Sequence, residues 1–91
     1  MEQVTVEHNP AFAKLEQMAV YEWNIKKQKV SQFDWKYDQK TTYYLLEGEA
    51  EIGIDNQESI IITAGDLVIF LAGTVCHWNI TQDIEKHFKY E

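Results

Sequence analysis

Arginine is absent from this chain of 91 residues, and cysteine and proline each occur once. Without arginine the chain has no bidentate donor for phosphate or carboxylate groups, so only lysine point charges are available. The single cysteine, Cys76, excludes an intramolecular disulfide and a zinc site made of cysteines alone. The longest nearly apolar run, residues 67–76, is about half as long as a bilayer span. The chain therefore lacks the signs of a disulfide scaffold or of a membrane partner.

Positive charge is also scarce, because the formal net charge is -7 at pH 7. A chain without a dominant basic face is a poor binder of nucleic acid, so we expect no nucleic-acid partner. Apolar residues make up 45% of the chain, which excludes a disordered protein. A chain of this length forms one domain and buries about 64% of its surface on folding.

The first residues of the chain, 1–6, show no basic start followed by an apolar stretch. This pattern predicts that the chain carries no secretory signal. A lone cysteine is typical of a reducing compartment. We therefore expect a cytoplasmic protein.

The N-terminal residues predict an arm that precedes the main fold. Val4 and Val6 alternate with polar residues, which indicates a short edge strand. Asn9 and Pro10 supply a cap and a first-turn proline for a short helix over residues 10–18. Residues 20–25 are predicted to be extended. We accordingly divide the chain into an arm, residues 1–19, and a main domain, residues 20–91.

The main domain is predicted to consist almost entirely of short strands. Turn signals occur at Asp55-Asn56, at residues 64–66 and at residues 72–73, and Gly48 interrupts a run of alternating residues. Short strands at this spacing predict an all-β sandwich or barrel with little helix. The predicted strands are residues 30–37, 42–47, 50–54, 59–63, 67–71, 74–80 and 84–90.

Two segments of this domain resemble the motifs of a known family. Residues 43–49, Tyr-Tyr-Leu-Leu-Glu-Gly-Glu, resemble the end of the first cupin motif, and residues 65–73, beginning Gly-Asp, resemble the second. The lead-in at residues 33–38 and Trp78 resemble the small single-domain cupins related to (S)-ureidoglycine aminohydrolase and to the ethanolamine-utilisation cupins. The resemblance covers residues 20–90 and implies a cupin fold, an RmlC-like jelly-roll β-barrel. Many members of this branch have no assigned reaction.

The glycines of these motifs are expected to shape the strand connections. Glycine adopts positive φ without steric cost, so we expect Gly48 and Gly65 at sharp reversals of the chain. Asp66, which follows Gly65, is expected to accept backbone N–H groups within its turn.

The resemblance also implies a metal site, which this chain does not reproduce. Metal-binding cupins use two histidines and a glutamate from the first motif and a histidine from the second. A tryptophan cannot be a ligand, and a divalent metal needs three or four convergent donors. His77 does not repair the site, because it faces away from its strand neighbour Cys76. We therefore predict no metal and no other cofactor, and keep a divalent metal as the alternative. The matching positions in this chain hold Trp35, Tyr37, Thr41 and Cys76.

Strand parity instead predicts an aromatic pocket inside the barrel. Phe33 and Leu45 share a face with most of the pocket candidates and are expected to be core residues. Lys86 is included because related cupins carry a lysine in the last strand, where it would hold a carboxylate ligand or the Tyr37 oxygen. The competing interpretation is that the aromatic residues only fill the core, that Cys76 is inert and that Lys86 is solvated. The predicted ligand-binding residues are Trp35, Tyr37, Thr41, Tyr43, Cys76, Trp78 and Lys86.

The sequence is compatible with three functions. The first is a cupin without the usual metal that binds a small polar molecule in the aromatic pocket. The second is a metal-dependent enzyme resembling ureidoglycine aminohydrolase. The third is a structural or interaction module, with a homodimer formed through the N-terminal arm. Catalysis, the identity of the ligand and the reactivity of Cys76 are left open by the sequence.

Overall fold

A computed structural model describes residues 3–54 and 57–91 and shows a mostly β protein. Met1 and Glu2 of the predicted arm, and the predicted turn at Asp55-Asn56, lie outside the described residues. The elements in chain order are β1 (Val4–His8), α1 (Phe12–Gln17), a 3₁₀ helix (Val20–Glu22), β2 (Asn24–Gln28), β3 (Ser31–Lys36), β4 (Thr41–Gly53), β5 (Ile60–Thr63), β6 (Asp66–Phe70) and β7 (Val75–Tyr90).

The strands form one antiparallel sheet in the order β1-β6-β4-β7-β2, with β3 beside β7 and β5 beside β4. The long strands β4 and β7 pair with each other along most of their length. Near one end they pair with β6 and β2, and near the other end with β5 and β3. The sheet therefore wraps around its own apolar side, and the predicted all-β fold is confirmed.

The sheet bends where β4 passes Gly48. The β4–β7 register is irregular between Leu45 and Ala50, and Gly48 has a φ of 98°. Before the bend the odd-numbered residue Leu45 faces the core, and after it the even-numbered residues Ala50 and Ile52 do so. The predicted chain reversal at Gly48 is therefore wrong, because glycine forms a bulge within one continuous strand. The predicted break between Ile80 and Ile84 is likewise absent from the long strand β7.

The core lies inside the wrapped sheet and is rich in aromatic residues. Trp78 and Phe70 are among its largest fully buried side chains. Leu45 is fully buried, as expected, and Phe33 is partly buried against the core. The inward-facing positions of every long strand thus contribute to one apolar cluster.

The N-terminal segment adds an edge strand to this sheet and then packs on its outer face. Strand β1 pairs with β6, with Val4 opposite Phe70. Beyond it, Leu15 and Val20 pack with Leu67 in a second apolar cluster. The arm strand is thus paired within its own chain, and the boundary after residue 19 stays a prediction.

Several local predictions for this segment are wrong. Asn9 does not cap the helix, because α1 begins at Phe12 and its N-cap, Ala11, makes no side-chain cap hydrogen bond. Asn9 instead has a φ of 48°, and its backbone N–H donates to the oxygen of Gly65. The segment predicted to be extended contains a 3₁₀ helix, Val20–Glu22, before β2. Local propensity is overridden here by the docking of the segment on the sheet.

The turn between β5 and β6 forms as predicted. Gly65 has a φ of 92°, and Asp66 accepts the backbone N–H of Thr63 at 2.8 Å. The other carboxylate oxygen of Asp66 lies 2.8 Å from Nδ1 of His8. This buried carboxylate therefore joins the turn to β1, a contact that the sequence did not predict.

The bend at Gly48 predicts a position-specific cost of adding a side chain. A Cβ atom at residue 48 would lie 2.3 Å from the backbone oxygen of Asp83, in addition to the strain of positive φ. We expect Gly48→Ala to lower the free energy of unfolding by about 3 kcal/mol or more, measured by urea unfolding.

Gly73→Ala is the matched control for this substitution. Gly73 also has a positive φ, 87°, but an added Cβ meets no atom within 4 Å. We expect it to cost only about 1 kcal/mol, from the backbone conformation alone. If both variants lose the same free energy of unfolding, the close contact between β4 and β7 does not require glycine at residue 48.

Candidate functional site

A cavity of about 470 Å³ opens between the inward faces of β2, β3, β4 and β7. Its size is that of a site for a small molecule. The wrapped sheet forms this cavity. Strands β2 and β3 pair with successive parts of β7 on the same side, and their inward side chains face β4 across the interior. The cavity is lined by Lys26, Gln28, Lys29, Ser31, Phe33, Asp34, Trp35, Tyr37, Tyr43, Trp78, Lys86 and Tyr90.

Aromatic rings support the inner wall of the cavity. The ring of Phe33 stacks on Trp78 at 6.0 Å with an interplanar angle of 7°. Tyr37 stacks on Phe70 at 4.4 Å, and Tyr43 meets both Phe70 and Trp78 edge to face. Rings in such mutual contact have little freedom to reorient, so the wall is rigid.

Trp78 and Tyr37 are joined by a buried hydrogen bond. The indole Nε1 of Trp78 donates to the hydroxyl oxygen of Tyr37 at 3.2 Å. Burial raises the pKa of Tyr37 far above its ordinary value, and the neighbouring Tyr43 raises it further. Burial also raises the pKa of Tyr43 to about 12. Both phenols are therefore neutral near pH 7 and present O–H donors to the interior.

Lys86 places an amine among these rings. Its side chain is only 2% exposed, although strand β7 reaches the surface at its end. Nζ donates to Oε1 of Gln28 at 2.6 Å and lies 3.6 Å from the centroid of the Tyr43 ring. It also lies 4.7 Å from the Trp78 ring centroid. One amide and two ring faces thus replace the water that would solvate the amine.

The surroundings of Lys86 lower the pKa of its amine to about 7. Burial is the largest cause, and the positive charge of Lys26 adds to it, whereas Cys76 acts in the opposite direction. The contacts with the Tyr43 and Trp78 rings favour the charged form, so they also limit the fall. Lys86 therefore changes between ammonium and free amine near neutral pH.

The predicted site residues divide into three groups. Tyr37, Tyr43, Trp78 and Lys86 are buried and line the cavity together. Trp35 lines its outer part but is 53% exposed, because β3 lies at an edge of the sheet.

Thr41 and Cys76 are buried but are not among the residues that line the cavity. The Thr41 hydroxyl donates to the backbone oxygen of Gln39 at 3.0 Å. Burial raises the pKa of the Cys76 thiol to about 11, which favours the unreactive protonated form. Cys76 faces inward, whereas its neighbour His77 is exposed and contacts Asp34, as strand alternation predicted.

His87, the strand neighbour of Lys86, is buried as well. They face opposite sides of β7, yet both are buried. Nδ1 of His87 donates to the backbone oxygen of Trp23 at 2.9 Å, and its ring lies against Tyr21. The N-terminal segment covers this outer face, which strand parity alone does not reveal.

The cavity also contains residues that the sequence did not predict to be there. Gln28 and Lys26 reach it from β2, whose first two residues alone fell within the segment predicted to be extended, residues 20–25. Lys26 lies directly opposite Lys86 in the β2–β7 pairing. Phe33 was assigned to the core alone, but it lines the cavity too. The pairing of β2 with the last strand was the missing information, because polar residues on an isolated short strand give no sign of a partner.

The inward-facing residues do not fit a divalent metal. Among residues 3–54 and 57–91 no group of three or more His, Cys, Asp or Glu side chains comes together. At the positions of cupin ligands, Trp35 and Tyr37 present aromatic rings, and the Cys76 thiol holds its proton. Lys86 adds an amine to the same interior. Cation-binding donors are thus replaced by rings and by groups that carry N–H and O–H.

A wrapped antiparallel sheet with its site inside defines the cupin class of β-barrel proteins. The model of the EutQ-like cupin domain matches residues 15–88. The chain belongs to this family, and its jelly-roll fold is the one that the sequence resemblance implied.

Solved structures support this assignment. A DUF861 family protein from Thermotoga maritima has 36% sequence identity and a TM-score of 0.92, and the match covers 97% of this chain and 99% of that one. No curated protein matches the chain. The similarity therefore extends over a whole relative, but the name of that relative states no activity.

Two EutQ structures share the fold at lower identity. The protein described as a putative ethanolamine utilization protein from Salmonella typhimurium has 18% identity and a TM-score of 0.65, over 72% of this chain and 53% of that one. EutQ from Clostridium difficile has 19% identity and a TM-score of 0.63, over 70% and 46%. The chain spans about half the length of these proteins. Among the described residues, no helix has the length and apolar character to cross a membrane.

The lowered pKa of Lys86 predicts a pH dependence of stability. Between pH 7 and pH 9 the folded protein has released a proton that Lys86 in the unfolded chain, with an ordinary pKa of 10.5, still binds. Unfolding then takes up a proton, so the contribution of Lys86 to the free energy of unfolding rises with pH by up to about 1.4 kcal/mol per unit. We expect urea unfolding to show this slope in the wild type, and Lys86→Met to lose it.

The slopes are compared only between pH 7 and pH 9, because the ionisation of Cys76 lowers stability at higher pH. The unfolded thiol ionises near 9.0, whereas the buried one ionises at about 11, so stability falls with pH between those values. Lys89→Met, on the same strand but exposed, is the control and keeps the wild-type slope. An unchanged slope in Lys86→Met would show that the buried amine keeps an ordinary pKa.

Proposed function

We propose that this cupin binds a small polar molecule in its aromatic cavity without the usual metal. The observation that carries the proposal is the buried Lys86 amine, which lines a cavity of about 470 Å³ together with aromatic rings. A core that served stability alone would gain nothing from burying an amine, because burial of an ionisable group is unfavourable. Concave aromatic walls with a few polar groups are typical of binding sites for small organic molecules.

The polar groups of the cavity favour a ligand that accepts hydrogen bonds. Lys86 donates N–H groups, and the neutral phenols of Tyr37 and Tyr43 donate O–H groups. The charged lining residues are Lys26, Lys29 and Lys86 against the single acid Asp34. This excess of positive charge occurs in a chain whose net charge is -7. The proposed ligand therefore has an apolar body and a carboxylate or carbonyl oxygen.

The other functions considered have less support. The donor set does not fit the metal that an enzyme resembling ureidoglycine aminohydrolase requires, and no observation favours that reaction. Whether the cavity catalyses a reaction is a separate question from whether it binds a ligand. We place the binding function in the cytoplasm, for which a single buried and protonated cysteine is suited.

Charge substitutions on β2 test the proposed ligand class. Lys26 lines the cavity, whereas the next residue, Lys27, points to the other side of the strand. We expect Lys26→Glu to weaken the binding of small aromatic carboxylates such as benzoate by about 10-fold, since it replaces attraction with repulsion at the cavity wall. Binding is measured by chemical shifts of the Trp78 indole N–H, after a thermal-shift screen of small acids, amines and ureides.

Lys27→Glu is the matched control, because it makes the same charge change on the same strand. We expect its affinity to stay within about 2-fold of the wild type. Similar losses in both variants would mean that general charge, and not the cavity, attracts the ligand. A protein indifferent to every compound class would contradict the proposed function.

We also propose that the protein forms a homodimer. Large apolar side chains are exposed at and beside the edge strand β3. Trp35, 53% exposed, lies on β3, Val30, 58% exposed, precedes it, and Val75, 54% exposed, begins the neighbouring strand β7. Edge strands with apolar residues gain free energy by pairing with another chain. We expect light scattering to give twice the monomer mass at micromolar concentration, and Trp35→Lys to shift the mass toward the monomer. A monomer at every concentration would contradict the dimer.

A further inference from the structure

The cavity holds a primary amine whose burial favours the neutral form more than the adjacent rings favour the charged one. Lys86 Nζ donates to Gln28 Oε1, so one of its hydrogens has a fixed direction. The amine lies against the faces of Tyr43 and Trp78. No carboxylate is within salt-bridge distance of Lys86 in the part of the chain that the structure describes. An amine that is not held as an ammonium ion by a carboxylate is available as a nucleophile.

We propose that Lys86 forms a reversible imine with small aldehydes that enter the aromatic cavity. This inference rests on the proposed function, because it identifies a carbonyl compound as the class of ligand that the cavity takes. Geometry supports it, since the amine is buried but lines a cavity large enough for a benzaldehyde-sized molecule. The rings of Phe33 and Trp78 provide an apolar surface for the body of such a molecule.

The reaction needs no oxidant, reductant or metal. The lone pair of Nζ forms a bond to the carbonyl carbon, and the carbonyl electron pair moves to oxygen. Nitrogen loses a proton and oxygen gains one, which gives a carbinolamine. The nitrogen lone pair then forms the C=N bond while the C–O bond breaks, and the oxygen leaves as water after taking a second proton. The resulting iminium nitrogen loses its remaining proton, which balances the proton that the oxygen took up. One aldehyde and one amine thus give one imine and one water.

The ionisable groups around Lys86 come from every strand of the cavity. Lys26 on β2 disfavours a further positive charge on Lys86. Lys29, which follows β2, and Asp34 on β3 also line the cavity. Tyr43 on β4 and Tyr37 after β3 are neutral phenols near pH 7. They provide O–H donors for the carbonyl oxygen.

Strand β7 contributes the remaining groups. Cys76 is protonated, and Tyr90 lines the cavity. With a pKa of about 7, Lys86 is largely the free amine at pH 8. At pH 8 a solvated lysine with an ordinary pKa is only about 0.4% free amine, so the reactive fraction of Lys86 is much larger.

Reductive trapping with benzaldehyde tests the proposal on the intact protein. The protein is incubated with limiting benzaldehyde and sodium cyanoborohydride at pH 8, and the reduced adduct is located by peptide mass spectrometry. We expect labelling of Lys86 to exceed that of any other lysine by at least about 10-fold, because of its larger free-amine fraction. At Lys86 the labelling rate should rise with pH up to about 7 and then level off.

Substitutions separate Lys86 from the surface lysines. Lys86→Arg replaces the amine with a guanidinium group, which stays charged and does not react at this pH, so we expect the adduct at residue 86 to be lost. Lys89→Arg, on the same strand, is expected to retain the adduct at Lys86. Labelling spread evenly over the lysines overturns the proposal. The wild-type peptide map gives this answer by itself if the Lys86 variant does not fold.

Parallel titrations separate failure of the inference from failure of the proposed function. Benzoate and benzyl alcohol have the same ring as benzaldehyde but cannot form an imine. A shift of the Trp78 indole N–H with these compounds, without an adduct at Lys86, overturns the imine and leaves the binding cavity. The absence of both the shift and the adduct overturns both proposals.

Discussion

The buried amine of Lys86 is the constraint around which the interior is organised. An amine removed from water is unfavourable unless other groups replace its solvation. Gln28 accepts one of its hydrogens, and the rings of Tyr43 and Trp78 receive its charge. These groups come from three strands that are far apart in sequence but adjacent in the sheet.

The interior of this cupin differs in its polar groups from the metal site that the sequence resemblance implied. Tyr37 is held by stacking on Phe70 and by the Trp78 indole, and its pKa is raised by burial. The resulting interior presents N–H and O–H donors, the opposite of the acceptor set that a divalent cation requires. The proposed class of ligand, one with acceptor oxygens, is based on this set of donors. The cupin barrel is retained although hydrogen-bonding groups stand where metal-binding cupins have metal ligands.

Much of the fold follows from patterns that sequence carries directly. Alternation placed Tyr43, Trp78 and Cys76 on inward faces, because neighbouring residues of a strand point to opposite sides. The alternation signal failed where contacts between distant strands decide the outcome. Gly48 marks a bulge and not a reversal, because β4 continues across β7 at close range. His87 is buried because the N-terminal segment docks over it. Neither contact has a local signal.

The sequence by itself determined the all-β class, the cupin resemblance, the residues at the positions that match cupin metal ligands, and most of the inward-facing aromatic residues. These properties depend on residue identity and on short-range periodicity. The tertiary structure alone decided that Lys26 and Gln28 join Lys86, that Trp35 is largely exposed, and that Thr41 and Cys76 lie apart from the cavity wall. The physical reason is that strand neighbours and the curvature of the sheet set these distances, and both arise from pairing between segments remote in the chain.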